Sequence, residues 1–403
     1  MSSQRLCSLV KHTLILWHRR PRDVWQRMRI QLLLLTVCTI ILAGALPNGV
    51  CWTDEPATRG ESESFESRFE MLAQRVTEST GGQPVVLGQF TSTNLSDVNF
   101  GPGIRGQLHQ ALLRLDAKLV APDAKHVVKG DYAFAKNPSN AALPRDIKIT
   151  VRVIDGEFDE ELVRIPLRFN DPKIIAEVIG VTGSLGRPSN AAHVESLVHS
   201  STAVVRGESR VAASPSSKVE LEVLRRVGPD RFAPCPVTLD ATTHPRIQLH
   251  KDDVYVVRIH NRSEDEIAAA LSIDGLSSFH FCEPSAKDAS GRRLFNHYMI
   301  ASSTDSDING WFLRLHGLDN YRAFHVTRYA DSAVGQLGLL PSDEVGVIHV
   351  QISKAAATVR ALDQSKSIAT GLGQKLTVQQ QQSDRKIDPP HEFITIRYDR
   401  SPF

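Results

Sequence analysis

The sequence lacks the spacings by which cysteine and histidine hold a metal ion. Its five cysteines include no C-x-x-C pair, and its 15 histidines include no H-x-x-x-H or H-E-x-x-H motif. A P-loop and the G-x-S-x-G sequence of a serine nucleophile are absent as well. These absences argue against zinc knuckles, thioredoxin-like redox motifs, P-loop nucleotide binding and the common hydrolase elbow. We therefore predict no catalytic residues, no cofactor and no metal ion.

A basic surface is also missing from most of the chain. The formal charge of +2 depends on residues 1–30, which carry seven Lys and Arg side chains against one acid, Asp23. Without that segment the remainder carries a formal charge of −4. Because a nucleic-acid site needs a basic face to displace counterions from phosphates, we expect no nucleic-acid partner.

One long uncharged run interrupts this polar composition. Residues 30–46 read IQLLLLTVCTIILAGAL and follow the basic sequence HRRPRDVWQRMR. Positive charge, an apolar stretch and then small residues are the three parts of a secretory signal, and Ala43 and Ala45 supply an A-x-A cleavage site. We therefore predict a signal peptide within residues 1–55 or, without cleavage, a transmembrane helix in the inner membrane. The body is then periplasmic or otherwise extracytoplasmic.

Three questions about the cysteines and the start of the chain stay open at this point. Counted from Met28 instead of Met1, the segment has the length of an ordinary signal peptide. Lipid attachment at Cys51 is an alternative, but the preceding Val50 is larger than such a site wants. In an oxidising compartment Cys235 and Cys282 could form a disulfide, and two buried thiols packed as small hydrophobes are the other reading.

Residues 61–183 predict a small α/β sandwich. Apolar residues recur at helical spacing over 64–79 and again over 104–115. Between and after these helices, apolar or alternating runs at 84–90, 126–132, 146–154 and 163–169 predict strands. The sequence DPKIIAEVIG then predicts a short closing helix. The two stripes comprise Phe65, Phe69, Leu72 and Val76, and Ile104, Leu108, Leu112 and Leu115.

Four of these elements resemble a family of periplasmic domains. They are VVLGQF, GIRGQLHQALLRLDA, VVKGDYAF and IKITVRVID. The domains occur in the curli secretion lipoprotein, in flagellar outer-membrane lipoproteins and in lipoprotein activators of penicillin-binding proteins. The resemblance is one of pattern over about residues 61–183. It implies protein binding or assembly in the cell envelope, with envelope proteins as partners and no catalytic residues to carry over.

The rest of the chain predicts a linker and a second domain. Residues 184–217 are rich in Ser, Ala and Gly and predict a linker, with a short strand within SLVHSSTAVVRG as an alternative for part of it. Short apolar runs from 218 to 403, SSFHFC and FITIRYDR among them, predict the strands of an antiparallel β-sandwich, with turn signals such as Asp274-Gly275 between them. The range 331–340 hints at a helix, and a loose segment is predicted at about 361–390. The pattern VRIHNRS, LSIDG, GW, FHVTRYADS and VGVIHVQIS resembles a β-rich domain of exported bacterial proteins, which implies no particular activity. The predicted fold class is α+β.

Two sequence patterns resemble ligand-binding motifs. Gly101-Pro-Gly103-Ile-Arg-Gly106 matches G-x-G-x-x-G, although the preceding strand ends about ten residues too early for a dinucleotide site, so a loop-to-helix entry is favoured. Asp305-Ser-Asp307 has the alternating oxygens of a calcium loop without the later Glu of an EF-hand. A solvated turn is the simpler interpretation.

Two further alternatives concern function. A secreted hydrolase or metal-dependent enzyme would need at least two candidate side chains of the histidine-rich β domain to converge with a carboxylate. These candidates are His280, Cys282, His297, His316 and His325. A carbohydrate-binding module would need Trp311 and Tyr321 in an exposed groove. The interpretation favoured by the sequence is an exported, non-catalytic envelope protein that acts through protein–protein interaction or assembly.

Overall fold

The computed structural model describes residues 65–92, 101–135, 146–186, 191–282, 295–313, 320–337, 339, 346–357 and 385–400. These residues form a mixed α+β structure in which most of the ordered elements are strands, which confirms the predicted α+β class. The predicted signal segment, with Ala43 and Ala45, lies outside them, as does His316. No helix within the described residues is long and apolar enough to cross a membrane.

The two amphipathic helices form where the apolar periodicity predicts them. Helix α1 spans Phe65–Ser79 and helix α2 spans Gly101–Leu115. The predicted stripes are buried at Phe69, Leu72 and Val76 of α1 and at Ile104, Leu108 and Leu112 of α2. Leu115 is a correction, because 42% of it is exposed. The helix ends at this residue, and the chain turns into a 3-10 turn at Ala117–Leu119 that carries Leu115 away from the core.

Sheet 1 has the strand order β1-β2-β3-β4. The first pair is parallel and the other two are antiparallel. One face packs against α1, whose Phe69 ring stacks on Phe169 with 6.1 Å between centroids. Helix α3, Pro172–Ile179, follows with Asp171 as its N-cap and Gly180 as a left-handed C-cap. The strands are β1 (Val85–Ser92), β2 (His126–Ala135), β3 (Asp146–Asp155) and β4 (Glu160–Phe169).

Two larger sheets contain the remaining described strands. Sheet 2 consists of β5 (Gly183–Ser184), β10 (Thr238–Leu239), β11 (Pro245–Leu249), β13 (Ile267–Ile273), β14 (Leu276–Ser277), β15 (Tyr298–Ile300), β19 (Val347–Ala357), β20 (Arg385–Ile387) and β21 (Glu392–Arg400). Sheet 3 consists of β6 (Val204–Arg206), β7 (Arg210–Ala212), β8 (Val219–Gly228), β9 (Arg231–Pro234), β12 (Val254–Asn261), β16 (Thr304–Ile308), β17 (Gly310–Phe312) and β18 (Tyr321–His325). Most pairs are antiparallel as predicted, but β11 and β21 are parallel.

Sheet 2 lies between the helices and sheet 3. The predicted strand FITIRYDR is β21, and it pairs with β19, β11 and β5. On one face of β21, Thr395 donates to the carbonyl oxygen of Gly180 at the end of α3. On the other face, the Tyr398 ring lies 6.4 Å from that of Tyr255 in sheet 3. Both faces of sheet 2 are therefore covered by protein.

The segment 184–217, predicted as a linker, is folded in its described part. It contains helix α4, Ala191–His199, and the strands β6 and β7. Val194, Leu197 and Val198 share one side of α4 and are almost completely buried. A Cβ at Gly183 would collide with the side chain of Leu197, so this helix is packed tightly against β5. The Ser- and Ala-rich composition hid a short amphipathic helix.

The run SSFHFC, predicted as a strand, forms turns beyond its first residue. The amide of His280 donates to the carbonyl oxygen of Ser277 at 2.8 Å, and that of Cys282 donates to Phe279 at 3.3 Å. These local bonds replace the ladder of a sheet. Helix α5, Ala333–Gln336, lies within the range 331–340 where the sequence hinted at a helix.

The α/β part and the β part are in close contact along α2. A Cβ at Gly106 would collide with the carbonyl oxygen of Gly275, and one at Gly103 would lie 2.9 Å from the carbonyl oxygen of Val178. The glycines of the G-x-G-x-x-G match thus allow helix α2 to approach backbone on two sides. Buried residues from both parts belong to one hydrophobic core.

Candidate functional site

A cavity of about 270 Å³ lies where α2 and α3 meet sheet 2, and we call it the junction cavity. Helix residues Gln107 and Glu177 line it from one side. Strand residues of β13 and β19 line it from the other, including Ser272, His349 and Gln351. The segment before β15 contributes Asn296 and His297. The lining is therefore rich in hydrogen-bonding groups.

Strand alternation explains why this face of sheet 2 is polar. In β19, Ile348, Val350 and Ile352 are completely buried on the face that packs toward sheet 3. Residues 349 and 351 point to the opposite face, because successive side chains of a strand alternate. His349 lies opposite Ser272 of β13 in the antiparallel register. Two neighbouring strands thus place their polar positions together beneath the helices.

His349 is the most constrained group of the junction cavity. Only 7% of it is exposed, and its Nδ1 lies 2.8 Å from the hydroxyl oxygen of Thr395. That hydroxyl donates its proton to the carbonyl oxygen of Gly180 at 2.6 Å. Nδ1 of His349 is therefore the donor to Thr395, and Nε2 of the neutral ring is an acceptor. Nε2 is buried and has no hydrogen-bond partner among the described residues.

The second histidine of the cavity is His297. Its Nδ1 donates to Oδ1 of Asn296 over 2.8 Å, which leaves Nε2 of a neutral ring as an acceptor. Burial lowers the pKa of His297 to about 4, and it lowers the pKa of His349 to about 4 as well. Both rings are therefore neutral at pH 7.

The charge of the lining is low. Glu177 contributes a carboxylate to the junction cavity, and the described lining residues include no Lys or Arg. Gln107 and Gln351 add amide donors and acceptors, and Ser272 and Ser277 add hydroxyl groups. Such a site can bind a small molecule through several hydrogen bonds, but it offers an anion no positive charge.

The candidate residues of the hydrolase or metal-enzyme alternative have different neighbours. The Nδ1 of His280 accepts from the amide of Gln110 at 2.5 Å, and its ring stacks on His109. His297 lies in the junction cavity. His325 is exposed beside Asp252, with 3.7 Å between Nε2 and Oδ1. Among the described residues, no group of three or more His, Cys, Asp or Glu side chains could hold a metal ion.

The predicted cysteine pair is not joined by a disulfide. Cys235 and Cys282 are both buried thiols, which corresponds to the alternative reading of the sequence. The amide of Cys235 donates to Val223 of β8, whereas the thiol of Cys282 donates to the carbonyl oxygen of Phe312 at 3.4 Å. Burial raises the pKa of the Cys235 thiol to about 11. Cys235 is therefore protonated at pH 7 and is a poor nucleophile.

The carboxylates of the calcium-loop alternative lie on strand β16, where cationic side chains neutralise them. Oδ1 of Asp305 is 3.0 Å from Nδ1 of His260 and 2.9 Å from Nη2 of Arg262. Asp307 accepts two hydrogen bonds from Arg258, at 2.6 and 2.9 Å. The solvated turn is also corrected, because residues 304–308 pair with β12.

The two aromatic residues of the carbohydrate alternative do not form a common exposed groove. Trp311 is only 8% exposed, and its ring packs edge-on against Phe324. Tyr321 is partly buried against Phe312, with 5.5 Å between ring centroids. The two side chains therefore belong to the packed interior.

Sequence reasoning noted His349 among the histidines of the second half but gave it no role. The signal that could have identified it is the alternation of VIHVQIS, in which His349, Gln351 and Ser353 occupy every second position. Such a polar row on a strand that is buried on both faces indicates a polar interface or a binding site. Protein-family models and curated proteins were compared with the chain, and nothing matches.

Proposed function

We propose that this protein is an exported, non-catalytic binding protein that holds a small uncharged polar ligand in the junction cavity. The observation that carries the proposal is the buried Nε2 of His349, an acceptor with no hydrogen-bond partner among the described residues. A buried polar group without a partner costs about 1–3 kcal/mol. A ligand that donates an O–H or N–H to Nε2 recovers that free energy.

The lining favours a polyol or a monosaccharide over a charged ligand. Two histidines, three side-chain amides and two serines are among the residues that line a volume of about 270 Å³. This volume is slightly below the range of about 300–1,000 Å³ that is typical of drug-sized ligands. Without a Lys or Arg in the described lining, an anion would lose its hydration without compensation.

Calorimetric titration of the full chain with neutral monosaccharides, glucose and N-acetylglucosamine among them, tests the proposal. We expect at least one to bind, and His349→Leu to weaken its binding about tenfold, as the loss of one buried hydrogen bond implies. The matched control His199→Gln, an exposed histidine at the end of α4, should bind as the wild type does.

Failure of every monosaccharide to bind would contradict the proposal, as would equal binding by His349→Leu. Thermal melting reports whether that variant is folded. If His349→Leu does not fold, Gln351→Leu removes a different hydrogen-bonding group of the same lining, and it should weaken binding in the same direction.

The proposal includes the location and the finer architecture. The N-terminal segment supports a periplasmic or extracytoplasmic body, with inner-membrane anchoring if residues 30–46 are retained. The architecture we propose is an α/β sandwich domain followed by a β-sandwich domain. The layering of sheet 2 against sheet 3 through Tyr255 and Tyr398 supports the second of these.

Binding of an envelope protein is a second candidate function, and one surface favours it. The β3–β4 hairpin exposes 68% of Phe158 and 41% of Leu162. Strand β4 is also the edge of sheet 1 in the described strand order, so its outer backbone groups are available for pairing. Exposed apolar side chains beside an edge strand are typical of a protein-binding surface.

A further inference from the structure

A second cavity, of about 140 Å³, lies between sheets 2 and 3, and we call it the aromatic cavity. Its walls include the rings of Tyr255, Trp311, Phe324, Tyr329 and Tyr398. An apolar cavity of about 150 Å³ in another protein is large enough to bind benzene. The aromatic cavity can therefore hold a compact group of similar size.

The rings form a continuous wall. Tyr255 stacks on Phe324 with 5.3 Å between centroids, and Phe324 meets Trp311 edge-on at 5.4 Å. Tyr398 is tilted against Tyr255 at 6.4 Å. Each ring face carries partial negative charge, which attracts a cation placed over it. The aromatic residues that line this one small volume favour an organic cation over an anion.

A carboxylate lines the same volume. Asp274 is almost completely buried at the end of β13, in a left-handed conformation with φ of 52°. Its Oδ1 accepts hydrogen bonds from the amides of Gly346 and Val347, at 2.7 and 3.0 Å. The hydroxyl of Tyr398 lies 3.1 Å from Oδ2. These bonds hold the carboxylate in place at the cavity wall.

The hydroxyl of Tyr255 is a second polar group of this wall. Only 2% of Tyr255 is exposed, and the residue lines the cavity. Burial raises the pKa of Tyr255 well above its usual value, so the hydroxyl keeps its proton at pH 7. It can therefore donate to, or accept from, a hydroxyl group on a bound molecule.

The charged and titratable side chains that line the aromatic cavity differ in burial. Asp274 is buried, whereas Lys251 and His325 are exposed at the mouth. Nε2 of His325 lies 3.7 Å from the carboxylate of Asp252. Lys251 is exposed and its charge is screened by water.

We propose that the aromatic cavity binds a small quaternary ammonium compound with a short hydroxylated arm. The ammonium head lies against the rings of Tyr255, Trp311 and Phe324, with the carboxylate of Asp274 beside it. The hydroxyl of the arm bonds the hydroxyl of Tyr255. This site is separate from the monosaccharide site, so either proposal can fail without the other.

Choline and its uncharged isostere 3,3-dimethyl-1-butanol separate charge from shape. Both are titrated calorimetrically into the full chain at constant ionic strength. We expect choline to bind at least tenfold more tightly than the isostere, because the two differ only in the charge of the head. Tyr255→Phe should weaken choline several-fold and leave tetramethylammonium, which has no hydroxyl, unchanged.

The variants test the carboxylate and the rings independently. Asp274→Asn should weaken choline at least fivefold and leave the isostere unchanged, whereas Phe324→Leu should weaken choline and retain a normal melting curve. Asp252→Asn, which removes the exposed carboxylate beside His325, is the matched control and should bind as the wild type does. If Asp274→Asn does not fold, the Phe324→Leu and Tyr255→Phe results decide.

Three results would overturn the inference. They are equal affinities for choline and its isostere, no choline binding at millimolar concentration, and unchanged choline binding in a folded Asp274→Asn variant. The first result would indicate a purely apolar cavity. The second would indicate that the rings serve packing alone.

Discussion

At the scale of single residues, burial decides the chemistry of this protein more than residue type does. His349 is held neutral, because a charge on its ring would lose its hydration. Cys235 is held protonated for the same reason. Asp305 and Asp307, in contrast, are accessible enough to pair with His260 and Arg258. The residues with the sharpest sequence patterns therefore have structural roles, and a histidine without a motif lines the cavity.

His349 makes stability depend on pH. Its pKa falls from 6.5 to about 4 on folding, so the unfolded chain binds a proton between these values that the native chain does not. The stability that depends on the neutral His349 ring is fully present above pH 6.5, and it is lost as the pH falls toward 4. From pH 7.5 to pH 5 this loss is about 2 kcal/mol.

Urea unfolding at pH 7.5 and 5.0 measures that loss. The variant His349→Gln should lose about 2 kcal/mol less than the wild type over this interval, because glutamine does not titrate. His199→Gln, which replaces an exposed histidine, should lose as much as the wild type. Equal losses in all three proteins would show that His349 is not held neutral.

The aromatic cavity could be predicted only in part from the sequence. Asp274-Gly275 was recognised as a turn, and both residues have the positive φ that a two-residue hairpin loop requires. The sequence does not show that Asp274 faces five aromatic rings, or that Gly275 contacts α2. Those neighbours are distant in sequence, and periodicity carries no information about which elements pack together.

At the scale of elements, strong periodicity was a reliable guide and weak periodicity was not. The alternation of DIKITVRVI correctly predicted β3, and FITIRYDR correctly predicted β21. Helix α4 was missed because it has only three buried apolar residues within a Ser- and Ala-rich segment. The prediction of a strand at SSFHFC was wrong, because the apolar pattern of a sequence does not indicate turn hydrogen bonds.

The β3–β4 hairpin provides the prediction at this scale. Phe158→Ser should reduce recovery of an envelope partner at least fivefold in cross-linking with intact cells, because it removes the most exposed aromatic ring of the hairpin. The change should alter stability by less than about 0.5 kcal/mol, since the side chain is on the surface.

Leu239→Ser is the matched control for this experiment. Leu239 is 41% exposed on β10, which belongs to sheet 2 and not to the hairpin. A partner recovered equally by the wild type and Leu239→Ser, and lost with Phe158→Ser, supports the second candidate function. Recovery that is equal in all three excludes the hairpin as the contact.

At the scale of the whole molecule, the proposed location depends on residues 30–46. An alkaline phosphatase reporter fused after residue 400 should be active, because that enzyme needs the oxidising compartment to form its disulfides. Deletion of residues 30–46 should abolish the activity while the fusion still accumulates. Inactivity of the intact fusion would contradict the proposed location, and activity of the deletion variant would show that residues 30–46 are not what exports the body.

The position of β21 has a consequence for when sheet 2 can form. Residues 392–400 lie in the interior of sheet 2, with β11 on one side and β19 on the other. Sheet 2 cannot form completely before residues 392–400 have left the ribosome, because β21 is the strand that joins β11 to β19. Synthesis of the β part therefore runs well ahead of its folding. Until then, the backbone edges of β11 and β19 that β21 later joins are open to pairing with other strands.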